Sequence, residues 1–250
     1  MEYKILFSNI GYARGINGFL RHHLLYSYRY LYCSQIVQEQ SLKQLKEIIS
    51  FENPDICCLI EIDTGSASSA NFNQLGHLIN ANYNFFDIEN KYRLNSWLRT
   101  FHHTRGKSSA VIAKRPLICE YLHFVHGIKT LIYKISLEEG LTLFFAHFSL
   151  KRRIRNKQLQ EIRHMIDNTQ GEIILMGDFN ILVGLEELKP LLEKGDLVLL
   201  NREEEPTFTF HKHRLLLDLC ICSRNIAKNT ELKIIPQPFS DHSALLLKIS

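Results

Sequence analysis

The chain has 250 residues, 45% of them hydrophobic, which suits a single large α/β domain over residues 1–250 with an ample core. Its 30 lysines and arginines against 26 aspartates and glutamates are too small an excess to require a nucleic-acid partner. Apolar runs are about one strand long and the N-terminus lacks a basic-then-apolar pattern, so we expect neither a transmembrane segment nor a secretion signal.

Apolar runs and period-two runs predict strands at residues 3–9, 55–61, 83–87, 110–113, 118–124, 130–136, 141–148, 172–178, 207–210, 217–222, 231–235 and 244–249. Amphipathic runs predict helices at residues 34–50, near 72–79, at 157–168 and at 185–194. The stretch 11–33 is punctuated by glycines and then rich in aromatic residues, and a long loop separates the strands at 83–87 and 110–113.

The six cysteines have neither the paired spacing of a zinc site nor the density of a disulfide scaffold. They are Cys33, Cys57, Cys58, Cys119, Cys220 and Cys222. Cys57, Cys58, Cys220 and Cys222 fall inside apolar predicted strands, where cysteine is typical of a small buried side chain in a reducing compartment. We therefore expect a cytoplasmic protein.

Six predicted strands carry polar side chains at or near an end. In chain order these are Asn9, Glu61, His147, Asp178 with Asn180, Asp218, and Asp241 with His242. The clearest local signal is the Gly-Asp-Phe-Asn sequence at 177–180, because it follows the apolar run 173–176. A buried strand there would deliver a carboxylate and a carboxamide to its C-terminal end.

This ordered set resembles the endonuclease/exonuclease/phosphatase superfamily, which includes deoxyribonuclease I, abasic-site endonucleases, neutral sphingomyelinases and inositol polyphosphate 5-phosphatases. The resemblance spans Asn9 to His242 and implies a deoxyribonuclease I-like four-layer α/β sandwich, with two mixed β-sheets face to face, helices outside and the active site at one rim. Abasic-site endonucleases carry an acidic residue where this chain has Gly11, so the resemblance to that branch is less close. The stretch 147–150, His-Phe-Ser-Leu, is similar to the sphingomyelinase-like branch.

Phosphate-ester hydrolysis of this kind needs a divalent cation, and oxygen ligands favour Mg²⁺, with Mn²⁺ as the alternative. Glu61 is the predicted primary metal ligand, and Asn9 and Asp241 are predicted to help, directly or through water.

Asp178 is predicted to orient and deprotonate the attacking water, a role that the resemblance also implies, or alternatively to share the metal. Asn180 would hold the water or a phosphate oxygen. His242 is expected to contact the scissile phosphate while Asp218 fixes the orientation of its ring. His147 would donate a second hydrogen bond to the phosphate.

Two basic clusters follow strands that end in predicted site residues. Lys151, Arg152 and Arg153, with Arg155 and Lys157, come after the His147 strand, and the first three are predicted to bind substrate phosphate. A solvated helix face is the alternative. Arg14, Arg21, His22 and His23 follow the Asn9 strand. The aromatic stretch from Phe19 to Tyr32 could form a lid, a base-stacking surface, an interfacial patch or simple apolar packing.

The sequence therefore predicts a magnesium-dependent enzyme that hydrolyses a phosphodiester, with nucleic acid favoured as the substrate because of the basic rim. A lipid or inositol phosphate hydrolase is the first alternative, and a catalytically inactive phosphate-binding module is the second. Retention of all eight polar site residues argues against the inactive module. We expect a monomer.

Overall fold

The computed structural model describes residues 2–250, except for the side chain of Glu139. Its α-helices are α1 Leu20–Leu25, α2 Gln35–Glu52, α3 Arg152–Asp167 and α4 Lys189–Leu192. Its strands are β1 Tyr3–Asn9, β2 Ile56–Asp63, β3 Phe85–Asn90, β4 Lys107–Ala113, β5 Ile118–His123, β6 Leu131–Ser136, β7 Leu141–His147, β8 Glu172–Asp178, β9 Leu197–Leu199, β10 Phe208–Phe210, β11 His213–Leu215, β12 Asp218–Ser223, β13 Thr230–Ile235 and β14 Ala244–Ile249.

Two six-stranded mixed sheets form the centre of the molecule. The first has the order β13-β14-β1-β2-β4-β3, the second has the order β5-β6-β7-β8-β12-β9, and β10 and β11 form a separate hairpin. The sheets pack face to face, with β1 against β8 and β2 against β7. Helix α2 covers the outer face of the first sheet and α3 that of the second. This arrangement confirms the predicted four-layer α/β sandwich.

The strands read as continuous apolar runs because both of their faces are buried. In β1, Ile5 and Phe7 pack into the core between the sheets, whereas the alternate residue Leu6 packs under α2. The third core lies under α3, where Leu159 and Ile162 contact the outer face of the second sheet. Cys57, Cys58, Cys220 and Cys222 are unpaired and buried within these cores, as the sequence predicts.

The strand directions bring the predicted site residues to one edge of the sandwich, which we call the catalytic rim. β1 runs parallel to β2, and β7 runs parallel to β8, so that all four strands end there. β12 and β14 run antiparallel to these neighbours and therefore begin there. Connections at this rim include residues 10–34, 91–106, 124–130, 148–151, 179–184 and 236–243.

Several predicted boundaries differ from the structure. Helix α3 begins at Arg152 rather than residue 157, because its charged first turn hides the apolar period. The predicted helix at 185–194 is a 3₁₀ turn followed by the short α4, and β9 and β11 were not predicted. β9 and β11 have three residues each and show no clear hydrophobic period. No helix within residues 2–250 combines the length and the apolar character needed to cross a bilayer.

Candidate active site

Glu61 is placed in the site by a β-bulge. The sequence predicts that β2 ends at Glu61, but the strand continues to Asp63, and its pairing with β4 shifts between Ile60 and Ile62. Glu61 is the extra residue and has φ +56°, an unusual conformation for a non-glycine residue. A bulge redirects a side chain that regular pleating would send to one face of the sheet. Here it exposes part of the carboxylate to the cleft.

The Gly-Asp-Phe-Asn sequence ends β8 with a tightly constrained backbone. A Cβ on Gly177 would collide with the carbonyl oxygen of Ala146 in β7, so the close approach of these strands requires glycine. Asn180 has φ +53°, which asparagine tolerates better than most residues. Its N–H donates to Asp178 Oδ1 (3.0 Å), and its Nδ2 donates to the carbonyl oxygen of Phe148 (2.9 Å). Asn180 therefore fixes the Asp178 carboxylate through its backbone N–H, while its own side chain is anchored to Phe148.

Asp178 lies at the centre of the site. Asn9 Nδ2 donates to Asp178 Oδ2 (3.1 Å), and His147 Nε2 and His242 Nε2 lie 3.4 and 3.9 Å from the same oxygen. The carboxyl is only 2% exposed. Burial raises the pKa of Asp178 to about 7, because it outweighs the positive charge of His242, which lowers this pKa. The nearby carboxyl of Asp218 also raises it. A pKa near neutrality suits a group that accepts a proton in the reaction.

His242 and Asp218 form a buried pair beside Asp178. His242 Nδ1 donates to Asp218 Oδ2 over 2.7 Å. Thr207 fixes Asp218, because its hydroxyl oxygen accepts from the backbone N–H groups of Leu217 and Asp218. Burial lowers the pKa of His242, but the carboxyls of Asp218 and Asp178 outweigh it and raise the pKa to about 10. The ring is therefore an imidazolium near neutral pH and leaves Nε2 as a donor towards the cleft.

Lys129 is a site residue that sequence reasoning missed. It lies in the connection between β5 and β6, and its Nζ is 3.1 Å from both Glu61 Oε1 and His147 Nε2. Burial raises the pKa of Glu61, but Lys129 is the strongest of the nearby charges that outweigh it and hold this pKa well below its usual range. A lysine in a short turn carries no local signal, and only the tertiary fold brings it to Glu61.

The structure places His147 between Lys129 and Asp178, and its role as a second phosphate donor stays a prediction. Burial and the charge of Lys129 hold its pKa well below the usual imidazole value, so the ring is neutral near pH 7. The ammonium of Lys129 can only donate, so Nε2 of His147 accepts from it and the ring proton is assigned to Nδ1. In this arrangement Lys129 and His242 are the charged donors nearest to Asp178 and Glu61, and His147 keeps its Nδ1–H.

A cleft of about 220 Å³ joins these groups. The predicted metal ligands Glu61, Asn9 and Asp241 line it together with Asp178, and Arg14, Tyr30 and Leu150 form part of its wall. The acidic and amide oxygens are hard donors of the kind that Mg²⁺ prefers, so these side chains fit a divalent cation. Ligand atoms of Asp178, Asp218 and His242 also lie within 4.8 Å of one another. We assign this second group to hydrogen bonding, since Nδ1 of His242 already bonds to Asp218.

The basic cluster at 151–157 does not act as one surface. Arg155 is 1% exposed and makes a two-pronged ion pair with Glu187, with Nε and Nη2 at 3.0 and 2.7 Å from Oε2. Arg155 therefore belongs neither to a phosphate-binding rim nor to a solvated helix face. Lys151, Arg152 and Arg153 are exposed at the start of α3, beside the cleft residue Leu150 but outside the cleft wall. Their binding of substrate phosphate stays a prediction.

The model of the Endonuclease/Exonuclease/phosphatase family matches residues 37–242, and the chain belongs to this family. The match confirms the family resemblance drawn from the strand-end residues and the predicted class of enzyme, a phosphodiesterase-type hydrolase. No curated protein matches the sequence.

Solved structures with the same fold cover nearly the whole chain at low identity. An endonuclease/exonuclease/phosphatase from Beutenbergia cavernae is 13% identical (TM-score 0.69) over 99% of this chain and 71% of its own. D. rerio TDP2, complexed with single strand DNA product, is 14% identical (TM-score 0.66) over 100% and 99%. The endonuclease domain of TRAS1, a telomere-specific non-LTR retrotransposon, is 12% identical (TM-score 0.60) over 99% and 98%.

Proposed function

We propose that this chain hydrolyses a phosphodiester with the help of a divalent cation, Mg²⁺ or Mn²⁺, held by Glu61 with Asn9 and Asp241. The observation that carries the proposal is the joint position of a carboxyl with a pKa near neutrality, Asp178, and an imidazolium, His242, in one cleft with Glu61. A bound cation would neutralise charge on the phosphate and lower the pKa of water.

Side chains of the cleft activate the water and stabilise the charge on the phosphate. Asp178 orients the attacking water and takes its proton, while Asn9 and Asn180 keep the carboxylate pointed into the cleft. Nε2 of His242 donates to a phosphoryl oxygen, and Asp218 stabilises its positive charge and orients the ring. The ammonium of Lys129 supplies a second donor and positive charge for the oxygen on the opposite side.

A polynucleotide is the first substrate that we propose. Two of the similar structures support a polynucleotide substrate, because one is a complex with a single strand DNA product and the other is an endonuclease domain. Arg14 in the cleft wall and Lys151, Arg152 and Arg153 beside it supply positive charge for further phosphates.

A membrane phospholipid is the second candidate, because large apolar side chains are exposed around the cleft. Leu150 and Leu182 line the cleft and are themselves exposed, which is unusual beside a strictly polar substrate. The expected cytoplasmic location and monomeric state stay predictions from the sequence.

The test is hydrolysis of the soluble diester bis(p-nitrophenyl) phosphate, of single-stranded DNA and of phospholipid vesicles, each with Mg²⁺ and with excess chelator. We expect turnover only with the cation. Glu61→Gln should raise the Mg²⁺ concentration for half-maximal rate about tenfold or more, whereas Glu47→Gln, on the exposed face of α2, should not. Full activity in chelator would overturn the cation mechanism, and no hydrolysis of any diester would favour an inactive phosphate-binding module.

A further inference from the structure

The connection after β1 exposes an unusual amount of apolar surface. Residues 17–32, which we call the rim segment, contain α1 and the following 3₁₀ turn. Eight large apolar side chains of this segment are exposed, namely Phe19, Leu20, Leu24, Leu25, Tyr28, Tyr30, Leu31 and Tyr32. No side chain of α1 is buried. A short helix with no fully buried side chain gains little from packing on its own protein, so its exposed apolar surface is available to a partner.

The rim segment is nevertheless fixed to the body of the protein. Arg29 donates to the carbonyl oxygens of Arg14 and Gly15 and packs its guanidinium over the ring of Tyr26 at 3.9 Å. His23 packs edge-on against Phe210 of the β10–β11 hairpin, with the ring centroids 4.8 Å apart. The exposed side chains are therefore presented on a formed structure.

Apolar exposure is concentrated on the catalytic rim as a whole. Among residues 2–250, the large exposed apolar side chains outside the rim connections are Ile36 and Phe51 on α2, Phe86, Ile118 and Tyr121 on strands, and Phe210 on the β10–β11 hairpin. The others lie on rim connections and include Trp97 after β3, Ile128 before β6 and Val183 after β8. Three of the exposed apolar side chains, Tyr30 of the rim segment, Leu150 and Leu182, line the cleft itself.

The positive charge of the rim segment indicates that its binding partner is anionic. From Tyr3 to Gln38 the chain has no acidic residue, and Arg14, Arg21 and Arg29 lie within or beside the rim segment. Glu203, Glu204 and Glu205 lie in the connection between β9 and β10 rather than in the rim segment. The side of the rim that carries residues 10–34 therefore combines positive charge with aliphatic and aromatic groups.

We propose that the rim segment docks the catalytic rim on an anionic phospholipid bilayer, with the cleft facing the lipid head groups. Leucines at positions 24, 25 and 31 have no flat face for stacking on nucleic-acid bases, but they partition into the acyl region of a bilayer. Tyrosine and arginine are suited to the head-group region of a bilayer. The tyrosine side chain combines an apolar ring with a polar hydroxyl, and arginine can pair with a lipid phosphate. This inference goes beyond the proposed hydrolysis and concerns binding alone.

The experiment is sedimentation of the full chain with phosphatidylcholine vesicles, with and without phosphatidylglycerol. We expect binding that requires phosphatidylglycerol and weakens with salt. The double change Leu24→Ser/Leu25→Ser, at side chains 69% and 66% exposed, should weaken binding about tenfold. The matched control Phe51→Ser/Ile118→Ser changes side chains 83% and 71% exposed away from the rim and should bind like the original chain.

Four results would overturn the proposal. The original chain does not sediment with vesicles, or both double variants lose binding equally. A third result is a dimer in ultracentrifugation that dissociates in Leu24→Ser/Leu25→Ser but not in the control variant. A fourth is that Leu24→Ser/Leu25→Ser loses affinity for a single-stranded oligonucleotide, while neither the variant nor the original chain binds vesicles. Binding and hydrolysis separate cleanly, because Asp178→Asn should still bind vesicles, and Leu24→Ser/Leu25→Ser should still hydrolyse bis(p-nitrophenyl) phosphate.

Discussion

The ammonium of Lys129 lies 3.1 Å from Oε1 of Glu61, the carboxylate that we assign as the main cation ligand. A positive side chain beside a metal ligand weakens metal binding through charge repulsion and at the same time offers a donor to the substrate phosphate. The two effects can be separated by removing the charge.

We therefore predict that Lys129→Met lowers kcat about 100-fold or more, because a donor to the phosphoryl oxygen is lost. The Mg²⁺ concentration for half-maximal rate should fall at the same time, because the repelling charge is gone. Steady-state kinetics over a range of Mg²⁺ concentrations measure both values. Lys129→Arg, which keeps the charge, is the control. A lower rate with a higher Mg²⁺ requirement would show that Lys129 only supports the structure.

The second prediction concerns the Asp178, His242 and Asp218 group. Asp178→Asn and His242→Ala should each lower kcat by about 10³-fold or more with KM little changed, since both act mainly in the transition state. Asp218→Asn should cost about 10- to 100-fold, because it acts through His242. The decrease in kcat of the Asp218→Asn/His242→Ala double variant should be close to the decrease caused by His242→Ala alone. Strictly multiplicative losses would show that the two residues act independently.

The third prediction is that folding stability falls as the pH rises from about 6.5 to about 10. The pKa of His242 is about 10 in the folded protein, above the ordinary imidazole value of 6.5. The stabilisation from its pair with Asp218 is thus complete below pH 6.5 and is lost as His242 releases its proton. Burial also raises the pKa values of Asp178 and Asp218, so their ionisation lowers stability as the pH rises, and for Asp178 this loss falls between about pH 3.8 and pH 7.

Urea unfolding of the cation-free protein at several pH values measures this effect. The free energy of unfolding should differ most between the original chain and His242→Ala near pH 6.5, and the difference should shrink towards pH 10. A difference that stays constant with pH would contradict the charged pair.

The fourth prediction tests the basic residues at the start of α3. If Lys151 and Arg153 contact a polynucleotide backbone, Lys151→Glu/Arg153→Glu should weaken single-stranded DNA binding. The slope of log K against log salt should flatten by about 0.7 for each lost contact. Turnover of bis(p-nitrophenyl) phosphate should survive.

Its control is Lys43→Glu/Lys46→Glu, an equal charge change on the exposed face of α2. DNA affinity that is negligible in the original chain, or that falls equally in both variants, would remove the support for a polynucleotide substrate and favour the phospholipid.

The sequence by itself located most of the strands and the polar residues at their ends, and its family resemblance implied the sandwich. A strand carries its own signal in a continuous apolar run, and a polar residue at its end must lie at a rim. Asn9, Asp178 and His242 could therefore be located locally, and the direction of each strand in the fold placed them together.

Only the tertiary structure decided how the neighbouring charges are used. Arg155 and Lys157 look alike in sequence, yet Arg155 is buried against Glu187, 32 residues away, while Lys157 stays exposed. Lys129 reaches Glu61 across 68 residues, and the bulge that aims Glu61 depends on its pairing with β4. Such contacts form between segments distant in the chain, so no local pattern of apolar and polar residues encodes them, whereas strand periodicity and strand-end residues are local properties.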